Sequence, residues 1–507
     1  MFKKKIKLIY YALIVSFLNL ILYHYAFYKF VYSIIDIKTL NGVLLLISLL
    51  VLTIVLNALV FYIAVYLLRK VGKWLLVLFF TINAVAVYFI NTYSVIIDKS
   101  MIGNVLNTNY EEASSFFSLT FLMYLIFLGI IPSVVLLKIK VKFTNFKRFG
   151  IQVALTLIFL LALIYANSTN WLWIDKNSKK LGALVMPWSY VVNTSRYYHS
   201  KNKKNKEQIL LPDATVNDST KSVVVLVIGE SARSANFSFY GYQRNTNPEL
   251  AKINNLHVYP AESAATYTTE GIKAILEHKK TGKLYEILPN YLYRNGIEVI
   301  WRSTNWGEPT VRIENYQKKD ELIQAYNQEG FEYDEILLHG LKDEIMNSDN
   351  NKILIVLHTS TSHGPAYYKK YPPEFNQFTP VCKSVELAKC TQQELINAYD
   401  NTILYTDHIL ATLIEELKQV KDYNTSMIFI SDHGESLGEK NLYMHGIPLS
   451  IAPKEQYEIP FIVWASDDSL KFKDSNMLSQ HHVFHSVLDL LKIDSPVYDE
   501  SMSIIKK

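Results

Sequence analysis

VVVLVIGESARSANFSFYGYQRNTNPEL (223–250) opens on six apolar residues, turns at Gly229 and meets a carboxylate, Glu230, ahead of a polar loop that carries Arg233. An apolar run without alternation reads as a strand buried on both faces. An acid at its end is either a loop residue facing water or a ligand for a cation at the carboxyl edge of a sheet. The rest of the chain has to decide between the two.

Downstream, short β-branched runs alternate with helical patterns. GIEVIWRS (296–303), KILIVLHT (352–359), TSMIFISD (425–432) and FIVWAS (461–466) read as further strands. TQQELINAYDNTILYTDHILATLIEELKQV (391–420) has the three-and-four spacing of a long amphipathic helix, and HHVFHSVLDLLKI (481–493) reads as a closing one. Strands of this kind alternating with helices predict a largely parallel sheet covered by helices on both faces, with ligands beyond the carboxyl ends of the strands.

Upstream, the composition changes. The chain has 507 residues, half of them apolar and 19% charged, yet its first third is mostly Leu, Ile, Val, Phe and Tyr. Five stretches, near 9–31, 40–68, 73–93, 116–137 and 150–168, are long enough to cross a bilayer, which takes about 20 residues each. KKKIK (3–7), RKVGK (69–73) and KIKVKFTNFKR (138–148) place three basic segments on the cytoplasmic side. An odd number of spans then leaves everything after about 170 outside. Three parts are expected: a membrane domain (1–170), a connector with interfacial helices (171–214) and an outer domain (215–507). A net charge of +5 gives no case for a nucleic-acid partner.

The outer domain delivers polar residues to one sheet edge. Glu230 follows the first strand. His358 and TSTSHGP follow another, and Asp432 and His433 follow a third. Mixed carboxylate and imidazole donors suit zinc or manganese, with zinc the better fit to a catalytic site that keeps open positions. Calcium rarely recruits imidazole. The two cysteines, Cys382 and Cys390, lie eight apart in a segment exposed to an oxidising compartment, and a local disulfide is expected. In the loop 94–115, Asn104, Thr108 and Glu112 fall at i, i+4 and i+8, on one face if that segment is helical; by periodicity they read as a solvated face.

GESARSANFSFYGYQRNTNP, SHGPAYYKKYP and SDHGESLGEKNLYMHG occur together and in order. With these motifs and five preceding spans, the whole chain resembles the bacterial inner-membrane phosphoethanolamine transferases that modify lipid A, among them the mobile colistin resistance enzymes. The resemblance implies a five-helix transmembrane domain followed by a periplasmic α/β domain of the alkaline phosphatase and sulfatase superfold. It implies zinc held by Glu230, Asp432 and His433 together with the nucleophile Thr266. AESAATYTTEG (261–271) also contains Thr268 and Thr269, and only the resemblance selects Thr266. His363 and His445 match two family histidines near the transferred phosphate, where a second zinc can be held during turnover. Asn104, Thr108 and Glu112 match a substrate-binding loop of the membrane domain.

The implied reaction moves phosphoethanolamine from phosphatidylethanolamine, through a phosphothreonine-type intermediate, to lipid A or another envelope acceptor. The enzyme is expected to act as a monomer with its catalytic domain in the periplasm. A phosphoglycerol transferase of the lipoteichoic acid synthase type and a membrane-tethered phosphatase are the alternatives. Two departures stand out. Many relatives fix the nucleophile loop with a disulfide, and no cysteine lies near Thr266 here. A family lysine that contacts the phosphoethanolamine group has no counterpart in STNWGEPTVR (303–312), where Glu308 and Arg312 are the charged residues able to take its place.

Overall fold

The computed structural model describes residues 5–108, 113–114, 116–204, 208–326, 331–474 and 477–506. The chain forms two compact units, Met1–Ser200 and Lys201–Lys507.

The first unit is helical, as a chain in hydrocarbon must be when water cannot satisfy its backbone. Its helices are α1 (Leu8–Tyr23), α2 (Tyr25–Ile34), α3 (Leu40–Leu68), α4 (Lys70–Tyr93), α5 (Lys99–Asn107), α6 (Leu119–Lys138), α7 (Phe146–Ala166), α8 (Trp171–Leu184) and α9 (Trp188–Lys204). Four of them, α3, α4, α6 and α7, are each long and apolar enough to span a membrane. The stretch read as one span over 9–31 is built from two helices, α1 and α2, bent by 69°, and makes a fifth span if the bent pair crosses as one. The break falls at His24, which leaves helical geometry while its buried Nδ1 meets the Asn19 carbonyl at 3.1 Å. The connector segment MPWSYVVN (186–193) is tied to the bundle by polar side chains. Asn19 Nδ2 donates to Met186 O (3.1 Å), Tyr190 Oη to Asn83 Oδ1 (3.0 Å) and Trp188 Nε1 to Asn57 Oδ1 (2.8 Å).

The second unit is built on an eight-stranded sheet. Its strands are β1 (Ser222–Gly229), β2 (Leu256–Glu262), β3 (Glu298–Ser303), β4 (Asn315–Lys318), β5 (Lys352–His358), β6 (Asn424–Ser431), β7 (Glu458–Ala465) and β8 (Leu478–Ser479), in the order β8-β2-β7-β6-β1-β5-β3-β4. All pairings are parallel except those of β7, which runs antiparallel to both β2 and β6. The largely parallel sheet expected from the pattern is therefore mixed at one strand.

The helices of this unit are α10 (Thr268–Leu276), α11 (Leu288–Arg294), α12 (Lys319–Ala325), α13 (Leu341–Met346), α14 (Gln392–Leu417) and α15 (His482–Leu490). Val224, Leu226 and Ile228 of β1 pack in one core with α10, α11 and α15. The alternate residues Val223, Val225 and Val227 are equally buried, so β1 is covered on both faces, as its unbroken apolar run requires. Each such side chain contributes about 1.5–3 kcal/mol through burial. Thr391 caps α14 and exchanges hydrogen bonds with Glu394, which fixes where that helix starts. Cys382 and Cys390 are joined in a disulfide just before it.

Candidate active site

Three neighbouring parallel strands end level with one another. Ile228 of β1 pairs with His358 of β5, and Gly229 pairs with Ser431 of β6. The next residues in chain order, Glu230 and Asp432, therefore leave the sheet side by side. Ser231 then turns the chain with φ +53°, and its N–H donates to Asp432 Oδ1 (3.0 Å).

Glu230, Asp432 and His433 are fully buried and bring one ligand atom each within 4.8 Å of the others. His433 Nε2 lies 3.3 Å from Glu230 Oε1 and 3.4 Å from Asp432 Oδ2. His433 Nδ1 sits 2.8 Å from the Gly434 carbonyl. A carbonyl only accepts, so Nδ1 carries a proton, and in the neutral form of the ring the Nε2 lone pair turns toward two carboxylates. Asp432 Oδ2 is buried and has no hydrogen-bond donor. A buried oxygen without a donor, facing a second carboxylate and an imidazole lone pair, fits a bound cation. These three residues are a candidate metal-binding group.

The electrostatics agree. Burial raises Asp432, and the Glu230 carboxylate raises it further. Burial works in the same sense on Glu230, but His433, His363 and His445 outweigh it and hold that group low. Burial disfavours charge on His433, yet the Asp432 and Glu230 carboxylates push it up to about 10. The two acids demand positive charge at this point, which a cation or a second proton on His433 can supply.

The surrounding loops hold this group. Asn305, after β3, donates to Glu230 Oε2 (2.8 Å) and to the Thr359 carbonyl (2.8 Å). Gly271 of α10 packs so closely on the Asp432 carbonyl that an added Cβ would lie 2.1 Å from its oxygen. Arg233, whose contacts no motif foretold, braces the exit of β1. Its Nη1 donates to the Glu435 carbonyl (3.0 Å) and to Glu439 Oε1 (2.7 Å), its Nε donates to Asn236 Oδ1 (2.6 Å), and it lies over the Tyr399 ring. Sequence reasoning found neither Asn305 nor Glu435, which is fully buried and meets His445 Nδ1 at 3.3 Å. The motif SDHGES did contain Glu435, two residues after His433.

Thr266 lies in the loop between β2 and α10, almost fully buried, with its Oγ1 donating to the Ile447 carbonyl (2.5 Å). Its own carbonyl accepts from Gly446 N–H (2.7 Å), beside His445. Thr268, the first residue of α10, has its Oγ1 3.3 Å from His433 Nε2. Hydrogen bonds brace the loop of Thr266 without a nearby disulfide: Ser263 Oγ donates to Ala265 O (2.6 Å) and Ser263 N–H to Tyr457 O (2.8 Å).

The ring of His445 is 4.2 Å from that of His433 and 5.6 Å from that of His363, so both further histidines gather here. His358 does not join the group of three; its Nδ1 faces Ser303 Oγ at 3.2 Å and Glu308 Oε2 at 3.8 Å. Glu308 is engaged by the Tyr316 hydroxyl through its other oxygen, and Arg312 is exposed. Asn104 and Thr108 belong to the first unit, where the Asn104 carbonyl accepts from both the N–H (2.8 Å) and the hydroxyl (2.7 Å) of Thr108 at the end of α5. Glu112 lies outside the described residues.

The Sulfatase family profile matches residues 222–493, nearly the whole sheet unit. That unit is an enzyme domain of the sulfatase superfamily carrying a candidate metal-binding group at the carboxyl edge of its sheet. The profile named Phosphoethanolamine transferase EptA/EptB matches residues 53–202. Phosphoethanolamine transferase EptA of Helicobacter pylori is 41% identical over 98% of this chain and 96% of its own length. Phosphatidylethanolamine transferase Mcr-1 of Escherichia coli is 33% identical over 78% of this chain and 79% of its own. The structure of the integral membrane lipooligosaccharide phosphoethanolamine transferase A of Neisseria meningitidis superposes with a TM-score of 0.88 at 26% identity, covering 99% of each chain. The chain belongs to the EptA family of bacterial phosphoethanolamine transferases, and it is an inner-membrane protein whose sheet unit is the periplasmic catalytic domain.

Proposed function

We propose that this protein transfers phosphoethanolamine from phosphatidylethanolamine to a lipid A phosphate or another envelope acceptor, using zinc held by Glu230, Asp432 and His433. The observation that carries the reading is the buried, donor-free Asp432 Oδ2 grouped with Glu230 Oε1 and His433 Nε2, with two threonine hydroxyls on the adjoining loop and helix start. Two carboxylates and one imidazole form an open zinc donor set, and a fourth position is left for a threonine oxygen or a substrate. Bound zinc would supply Lewis-acid stabilisation of negative charge on the threonine and phosphoryl oxygens.

Thr266 is the nucleophile in this reading. Its Oγ1 forms a bond to phosphorus, its proton passing to one of the two histidines His363 and His445, as the bond from phosphorus to the diacylglycerol oxygen breaks and that oxygen takes a proton from the other. Glu435 orients His445 by engaging its Nδ1, so Nε2 is the atom free to exchange the proton. α10 begins two residues after Thr266, and its free N–H groups favour an arriving phosphoryl group. In the second half, an acceptor phosphate oxygen attacks phospho-Thr266, and the departing threonine oxygen takes its proton back from the histidine that accepted it. In this reading His363 and His445 would also be the residues to hold a second zinc during turnover. Asn104, Thr108 and Glu112 are assigned to the lipid substrate.

The test is transfer to lipid A vesicles by the full-length protein in detergent, before and after chelation. Transfer lost on chelation and restored by zinc supports the reading. Transfer that persists in a metal-free protein, or a head group other than phosphoethanolamine on the acceptor, overturns it.

A further inference from the structure

The loop that carries Thr266 and the turn that carries Asp432 and His433 come from different strands, β2 and β6, and no covalent link joins them. One side chain spans the gap. Gln480, between β8 and α15, is fully buried. Its Nε2 donates to the Ser431 carbonyl (3.0 Å) and the Asp432 carbonyl (2.7 Å), and its Oε1 accepts from Ala264 N–H (2.9 Å). The orientation of the amide is determined, because reversing it would set an oxygen against two carbonyls and an NH₂ against an N–H.

All three partners are main-chain groups beside the chemistry. Ala264 is two residues before Thr266, and Ser431 and Asp432 lead into the candidate metal-binding group. The Asp432 carbonyl is also the atom on which Gly271 of α10 packs. It is thus gripped from two directions, by Gln480 and by the helix that follows Thr266. A residue that only filled space here would need no such bonds. A side chain whose two ends are committed to different loops sets the distance between them.

We propose that Gln480 is a positioning residue for the transfer reaction, setting the separation between the Thr266 hydroxyl and the Glu230–Asp432–His433 group. The inference rests on the reading of the reaction given above. Gln480 touches no substrate; it acts through Ala264 and Asp432.

The experiment compares Gln480→Leu and Gln480→Asn with the parent, each as full-length metal-loaded protein in detergent with head-group-labelled phosphatidylethanolamine. Leu fills the space without hydrogen bonds. Asn keeps the amide but is one methylene short, so it can reach only one of the two loops. A misplacement of about 1 Å costs up to about 100-fold in rate. Both variants are expected to lower kcat for threonine loading about 10- to 100-fold with KM near the parent value. Metal content is expected to match the parent, since every ligand is intact. Parent-like kcat in a folded variant overturns the proposal, as does a loss that lies wholly in KM or follows loss of metal. Should Gln480→Leu not fold, the Asn variant alone decides. An unlabelled parent refutes the transfer reading itself, and this inference falls with it.

Discussion

Acidic residues gather at both edges of the central sheet, with opposite outcomes. At the amino edge, Asp213, Asp218, Asp489 and Asp494 line a cleft of about 720 Å³. There each carboxylate is answered. Asp218 meets Lys352 (2.9 Å), Asp494 accepts from Asn217 (2.9 Å), Asp489 accepts from Tyr498 (2.7 Å), and Asp213 pairs with Arg294. At the carboxyl edge, Glu230 and Asp432 converge on an imidazole lone pair, and one buried oxygen has no donor. Clustering of acids is common to both edges. Convergence on one buried point, with an oxygen left without a donor, belongs to one, and among the described residues only that edge brings three ligand groups together. A carboxylate reports a site through what fails to neutralise it.

The comparison breaks most readily at Asp432. Asp432→Asn keeps the hydrogen bonds to Oδ1 and removes a ligand charge, and transfer is expected to fall about 10³-fold or more in a folded protein. Asp218→Asn at the other edge should leave the transfer rate unchanged. Equal losses in both variants would dissolve the distinction. Gly271→Ala is the next largest. A Cβ there meets the Asp432 carbonyl oxygen at 2.1 Å, so α10 or the ligand turn must shift. We expect about 10- to 100-fold lower activity, with a stability loss of about 1–3 kcal/mol by thermal melting.

Chelation sharpens the contrast through stability. A ligand present at about 100 times its Kd stabilises the folded state by about 2.7 kcal/mol. Calorimetry should show the catalytic unit melting lower after chelation, and Asp432→Asn should abolish that difference. Asp218→Asn, with the smallest effect, should cost about 1 kcal/mol at neutral pH. Its pH dependence carries a sign. Hydrogen bonds from Thr220 and Lys352 hold Asp218 below the ordinary aspartate value of 3.8. The folded chain therefore resists protonation there more than the unfolded chain does, and the stabilisation is present above that pH and lost as pH falls below it. Melting between pH 2 and 5 should show a shallower acid limb in Asp218→Asn.

Much of this arrangement was legible in the sequence because buried strands advertise themselves. β1, β3, β5, β6 and β7 each carry continuous apolar runs, and Glu230, Asp432 and His433 stand at their ends. β2 escaped notice because LHVYPAE contains a proline and is only half buried, and β4 because NYQK is polar. The reversed direction of β7 leaves no mark in its own residues. His358 was over-read: a histidine at a strand end faces whichever side the pleat dictates, and here that is Ser303. Asn305, Arg233 and Glu435 act across loops far apart in the chain, a relation that no local pattern records. The bend at His24 was hidden inside a run that hydropathy alone reads as continuous.

The choice of nucleophile tests the account most directly, because Thr266 and Thr268 both border the site while only Thr268 stands within 3.3 Å of His433. The full-length protein is incubated with phosphatidylethanolamine carrying a labelled head group, and the adduct is located by mass spectrometry of its peptides. Phosphoethanolamine is expected on Thr266, absent in Thr266→Ala and retained in Thr268→Ala. An adduct on Thr268 or any other residue, or no adduct at all, would contradict it.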